Sequence, residues 1–317
     1  MPELELVDLD KSYGEIHALR DMSLTVGSGE IFGFVGSNGA GKTTAMRIAV
    51  GVLAADAGTV RWAGQPVGLA VSSRIGYMPE ERGLYPRMRV GSQLRYLARL
   101  HGRSPAQAEE AVQRWTHVLG ISSRLDDEVQ KLSLGNQQRV QLCAALVFEP
   151  DILILDEPFS GLDPVAVDVM SQVLRERADA GVPVLFSSHQ LDLVERLCDR
   201  VGIIKDGSMV AVGSIDELRG RGGLRWQVEG PAADTGWPER VPGARVLSSR
   251  GSLTVVEVDR PGQADDAGQE LLQAALAVGP VDAFGPVRPH LVELYRHAVS
   301  DSGGPPTGDR VDEGARR

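Results

Sequence analysis

Gly36-Ser37-Asn38-Gly39-Ala40-Gly41-Lys42-Thr43-Thr44 follows the spacing glycine, four residues, glycine, lysine, threonine, the pattern of a loop that cradles phosphate. The glycines let the backbone curl tightly with its N–H groups pointing inward. Lys42 adds a point charge for the outer phosphates, and Thr43 a hydroxyl for magnesium. The whole run from Gly36 to Thr44 is therefore a candidate phosphate contact. Its surroundings fit. Glu30 to Val35 reads as a short buried strand, and Lys42 to Val50, free of glycine and proline, as a helix whose N-terminus favours anions.

The 317 residues exceed one typical domain, and a hydrophobic content of 42% supplies a large core, so one big domain and a smaller one are expected. A formal net charge of -10 without a long basic run argues against a nucleic-acid binder. The two cysteines, Cys143 and Cys198, have apolar neighbours within expected helices, which suits a reducing cytosol and a role as small buried hydrophobes. The N-terminus is acidic and has no apolar signal core. No run approaches the roughly 18 apolar residues of a membrane span; any membrane role needs spans from a partner.

Residues 3–9 and 16–26 alternate as half-exposed strands, with Lys11-Ser12-Tyr13-Gly14 as the turn between them. Tyr13 either packs locally or offers a flat face for an adenine ring. Short strands follow at Gly58 to Trp62 and Arg74 to Met78. From Val90 to Gly120 the period is helical: Leu94, Leu97, Ala98 and Leu100 share a face, Ser104-Pro105 starts a second helix, and Ala108, Val112, Trp115 and Leu119 recur at three or four. Asp151 to Glu157 is an apolar run closed by two acids, as in a parallel strand buried on both faces, and Val182 to Ser187 is a second, joined by a helix over Asp163 to Ala180. A meander at 200–212 leads to a short helix, and Gly220-Arg221-Gly222-Gly223 marks a boundary. Beyond it, strands at 224–228, 244–249, 252–258 and 281–284, with helices at 266–278 and 289–299, make a small α+β module. The tail from 300 to 317 is poor in apolar residues and is expected to be disordered.

Asp156 and Glu157 end a buried strand, where open α/β sheets bind ligands. Asp156 can hold magnesium, and Glu157 can polarise a water for in-line attack at a γ-phosphate. With these residues in place, residues 4–219 resemble the ATP-binding subunit of an ABC transporter. Leu132-Ser133-Leu134-Gly135-Asn136-Gln137-Gln138-Arg139-Val140 is similar to the family's signature segment, with Leu134 and Asn136 replacing the commoner glycine and glutamine. Ser133 can donate to a phosphate, and the helix starting near Gly135 points its positive end there. Ser160-Gly161-Leu162-Asp163 resembles the D-loop, and Ser187-Ser188-His189 places His189 at the switch histidine. Glu80 stands where the family usually has a glutamine that couples nucleotide to the membrane subunit. With Arg82-Gly83-Leu84-Tyr85-Pro86, it resembles a branch of drug- or sodium-efflux subunits.

The resemblance implies an α/β P-loop ATPase cassette over 1–222, with a RecA-like core sheet, an antiparallel β subdomain and a helical subdomain near 88–148, followed by an accessory α+β domain over 223–299. It also implies an ATP-hydrolysing exporter motor, peripheral on the inner membrane face and partnered by a transmembrane permease and a second ATP-binding subunit, most simply in a homodimer. A soluble ABC ATPase acting on a ribosome or repair complex is the alternative. Catalysis is expected from Glu157 and His189. Magnesium is expected at Thr43, Glu80 and Asp156. ATP contacts are expected from Tyr13, from Gly36 through Thr44, and from Ser133, Gly135 and Asp163, with Ser133 and Gly135 supplied across a dimer.

Overall fold

A computed structural model describes residues 2–81, 83–220, 224–258 and 264–301. Arg82, most of the expected boundary at 220–223 and most of the expected disordered tail lie outside the described residues. Alternating polarity produces β1 (Leu4–Tyr13) and β2 (Ile16–Val26), which pair antiparallel with Tyr13 opposite Ile16. That register leaves Gly14-Glu15 as the turn, so the expected turn at Lys11 to Gly14 is displaced and Tyr13 belongs to the strand. After β3 (Ile31–Val35) and α1 (Lys42–Val50), the chain adds β4 (Ala57–Trp62) and the two-residue β5 (Gln65–Pro66) to this sheet, in the order β2-β1-β4-β5. Leu4, Leu6, Leu9, Leu19, Met22 and Val26 are buried between it and α1.

A short α2 (Leu69–Ser72) precedes β6 (Ile75–Met78), and a helical insertion follows: α3 (Val90–Leu100), α4 (Pro105–Val118) and α5 (Leu134–Leu146). Helix α4 starts where expected because Ser104 Oγ accepts from Gln107 N–H while the Gln107 side chain accepts from Ser104 N–H at 2.9 Å, satisfying two orphan donors. Leu94, Ala98, Ala108, Val112, Trp115 and Leu119 share its core. Leu100 does not: two positions past Ala98 is about 200° around a helix, and its side chain is exposed.

The core sheet is completed by β7 (Ile152–Leu155), α6 (Pro164–Asp179), β8 (Val184–Ser187), α7 (Leu191–Leu197), β9 (Arg200–Lys205) and β10 (Ser208–Gly213), then α8 (Ile215–Arg219). Its order is β10-β9-β3-β8-β7-β6, parallel except for β10 against β9. Every residue of β3, β7 and β8 is buried, which is why these runs lack polar alternation. Because β3, β6, β7 and β8 run the same way, the segments after them meet at one edge. This is the P-loop ATPase fold. The cysteines act as small hydrophobes: burial pushes both thiols up, although Cys198 sits just past the end of α7 with extended backbone. Among the described residues no helix is long and apolar enough to cross a membrane.

The C-terminal part forms β11 (Leu224–Glu229), β12 (Ala244–Arg250), β13 (Leu253–Val258), α9 (Ala264–Leu276) and β14 (Ala283–Val287), in an antiparallel sheet ordered β12-β13-β11-β14. Trp226, Trp237, Val256 and Leu271 make its separate core. The last helix, α10 (Leu291–Asp301), departs from the expected module and packs on the cassette. Leu291 is fully buried in the same cluster as Leu193, Leu197, Ile215 and Leu218, and its N–H donates to Glu195 at 2.9 Å. Arg219 Nε donates to Pro289 O at 3.1 Å and Lys205 Nζ to Val299 O at 2.6 Å. Leu291→Ala should therefore destabilise the cassette by about 2–4 kcal/mol, read as a fall in its thermal or denaturant midpoint. An unchanged midpoint would show that α10 is a loose appendage.

Candidate nucleotide site

The loop between β3 and α1 takes its shape from its glycines. Gly41 has φ 108°, and a Cβ there would lie 2.5 Å from Ala18 O; at Gly36 it would lie 2.6 Å from Ile204 O. Any larger residue would push the loop off the neighbouring strands. Ser37, Asn38 and Gly39 are exposed at the loop's crest, Ala40 is buried beneath it, and Thr43 and Thr44 are half-buried. Lys42, only 7% exposed, folds back so that Nζ donates to Gly36 O at 2.8 Å and Ser37 O at 3.1 Å. Burial pulls its pKa below the ordinary lysine value, against the opposing pull of Glu157, Asp156 and Glu80. A buried ammonium resting on carbonyls, with three carboxylates nearby, is a cation awaiting a stronger anion.

The acids after β7 complete the edge. Asp156 is 1% exposed; its Oδ1 accepts from Ser187 Oγ at 2.5 Å, while Oδ2 is buried without a hydrogen-bond partner. A buried carboxylate oxygen without a partner is costly, and a divalent cation or its water would satisfy it, so the donor set fits magnesium. Ser187 Oγ also accepts from Glu157 N–H at 2.8 Å, joining the ends of β7 and β8. Glu157 has φ 49°, in the left-handed region that a glutamate rarely adopts; this turns its side chain, 8% exposed, along the cleft. His189 Nδ1 lies 2.8 Å from Glu157 Oε2, a distance at which a protonated Nδ1 donates.

Ala18, Asn38, Gly39, Gly41, Lys42, Thr43, Thr44, Glu80, Asp156 and Glu157 line one cleft of about 300 Å³. The structure thus brings the loop, both strand-end acids and Glu80 together, with His189 reaching in through Glu157. It leaves other expected contacts outside this lining. Tyr13 is an exposed ring at the end of β1, with Lys11 Nζ 5.7 Å from its centroid. Ser133 caps α5 by accepting from Asn136 N–H at 3.4 Å and is exposed; Gly135 lies against Leu162 of the same chain. Asp163 caps α6, accepting from Ala166 N–H at 2.8 Å. The sequence alone gives Ser187 no contact role, yet its hydroxyl links Asp156 to Glu157. A serine ending a wholly apolar strand beside the two acids was its only signal.

Comparison with known proteins agrees with this geometry. The pattern of the ABC transporter family matches residues 19–160. The uncharacterised ABC transporter ATP-binding protein YhaQ of Bacillus subtilis is 41% identical over 216 residues, covering 68% of this chain and 72% of its own. Nod factor export ATP-binding protein I of Paraburkholderia xenovorans is 38% identical over 223 residues, 69% of this chain and 73% of its own. The solved structure of an ATP-binding subunit of an ABC transporter superposes with a TM-score of 0.65 at 31% identity, covering 69% of this chain and 92% of that one. The chain therefore belongs to the ABC transporter ATP-binding proteins and is the ATPase subunit of a transporter.

Proposed function

We propose that this subunit is an exporter motor, held at the cytoplasmic face of a membrane by a separate permease and working as a homodimer. The observation that carries the dimer is the division of the site. The cleft holds the phosphate loop and both acids, whereas Ser133 and Gly135 lie outside its lining at the end of α5. A second copy would bring those two residues, with the positive end of its α5, onto the open side of the cleft. The named role of the Nod factor relative supports export, as does Glu80 in place of glutamine.

Within this site, Lys42 and the loop N–H groups bind the outer phosphates, and the exposed Tyr13 ring offers a face to adenine. Thr43 and Asp156 would hold magnesium, with Glu80 facing it or its water; the ion would neutralise charge developing on the phosphates. Glu157 accepts a hydrogen bond from the attacking water, and His189 keeps that carboxylate oriented and faces the γ-phosphate. The water's oxygen bonds to γ-phosphorus as the bond to the β–γ bridging oxygen breaks, and the proton the water gives up passes to Glu157 and on to the departing phosphate, yielding ADP and phosphate. Asp163 sits at the start of α6, where it would meet the second copy. ATP closes the dimer, and hydrolysis lets it reopen against the permease.

The test is to tag the chain in its own cell, solubilise membranes in mild detergent and purify. A multi-span protein recovered in stoichiometric amount supports the reading. Recovery with ribosomes, or from membrane-free extract alone, refutes it.

A further inference from the structure

Helix α5 carries three consecutive or near-consecutive buried glutamines, Gln137, Gln138 and Gln141, where a core-facing helix ordinarily carries apolar side chains. Gln137 turns its amide inward on its own subdomain, donating to Val129 O at 3.1 Å and Leu132 O at 2.9 Å. The other two reach out of it. Gln138 Nε2 donates to Glu157 O at 3.0 Å and Pro158 O at 3.1 Å. Gln141 Nε2 donates to Pro79 O at 3.2 Å, the residue before Glu80. The two gripped segments are themselves joined, since Asp156 N–H donates to Met78 O at 2.7 Å.

One rigid helix therefore touches three parts of the machinery. Its first turn presents Ser133 and Gly135. About 7 Å along the axis from Ser133 it holds the backbone of Glu157, and about 12 Å along it holds the Glu80 segment. A helix is stiff over such lengths, so a displacement at its N-terminus is carried to both gripped segments. These amides hold backbone, and Glu157 is in a strained conformation whose side-chain direction depends on that backbone.

We infer that Gln138 and Gln141 are positioning residues through which the helix end that completes a partner's ATP site sets the placement of this chain's own Glu157 and Glu80. The inference rests on the two-copy site proposed above. It gives α5 a task that neither the fold nor the cleft lining requires, the transmission of nucleotide occupancy from one site to the other. In a dimer each site then reports on the other, and turnover depends cooperatively on ATP.

The test uses the full chain and the variants Gln138→Met and Gln141→Met, which keep side-chain length and volume while removing the donors. Hydrolysis is followed against ATP concentration, binding of ATP by equilibrium titration, and ATP-driven dimerisation in a Glu157→Gln background. The parent should show a Hill coefficient above 1. Each variant should lose about tenfold in kcat, as expected when a reacting group is slightly misplaced, should fall to a Hill coefficient near 1, and should keep its Kd for ATP within about twofold. Unchanged kcat and Hill coefficient, with the ATP-driven dimer present, overturn the inference alone. Equal losses in kcat and ATP affinity overturn it also, since they mark a general loss of structure. If Gln138→Met does not fold, Gln141→Met decides, because it holds Pro79 O and leaves the backbone of Glu157 untouched. Absence of an ATP-driven dimer in the Glu157→Gln chain overturns the two-copy reading and this inference with it.

Discussion

Glu157→Gln should bind ATP at least as tightly as the parent chain and hydrolyse it about 10²–10⁴-fold more slowly. The two effects separate because the structure divides the residue's contacts into backbone and side chain. The hydrogen bond from Glu157 N–H to Ser187 Oγ, the grip of Gln138 on its carbonyl and the left-handed φ all survive the change. An amide oxygen can still accept from His189 Nδ1 in place of Oε2. What disappears is the negative charge and the basicity that draw a proton from water. Losing an anion beside bound triphosphate removes a repulsion, so affinity should hold or rise. With closure intact and reopening blocked, ATP should accumulate a dimer, seen by sizing in the presence of ATP and magnesium alongside a phosphate-release assay. Hydrolysis at the parent rate would assign the base to another residue.

Much of this architecture is legible in local sequence because local physics dictates it. The glycine spacing at 36–41 is required by backbone that passes within 2.5–2.6 Å of where a Cβ would stand. The apolar runs of β7 and β8 are required by burial on both faces. Ser104-Pro105 is required by the first-turn donors of α4. What was not legible depends on partners distant in the chain. The register of β1 on β2 decides whether Tyr13 is strand or turn, and alternation alone cannot fix where pairing ends. The docking of α10 depends on Glu195, Arg219 and Lys205, residues some 70–96 positions upstream of their contacts, while its own apolar spacing says only that it has a face to bury. Likewise Gln138 and Gln141 look like ordinary helix formers until the carbonyls they hold are seen.

Lys42→Met should weaken ATP binding by about 10²–10³-fold while leaving the empty protein as stable as the parent, or slightly more so. In the empty loop the ammonium is held at a net cost, because burial outweighs the favourable pull of Glu157, Asp156 and Glu80 and depresses its pKa. A lysine with a folded-state pKa below its ordinary 10.5 binds its proton more weakly folded than unfolded. That cost is full at pH values below the folded-state pKa and vanishes as pH rises to 10.5. Methionine keeps the packed stem and removes the charge, though it also gives up the donors to Gly36 O and Ser37 O. The two losses oppose each other in the empty protein, so the unfolding midpoint should move little. They do not oppose each other in the complex, where the phosphates lose a nearly desolvated cation and still face three carboxylates. ATP titration together with thermal unfolding reads both quantities on one preparation. Unchanged affinity would remove Lys42 from the phosphate site, and a large fall in the midpoint would show that the ammonium serves the fold before it serves the nucleotide.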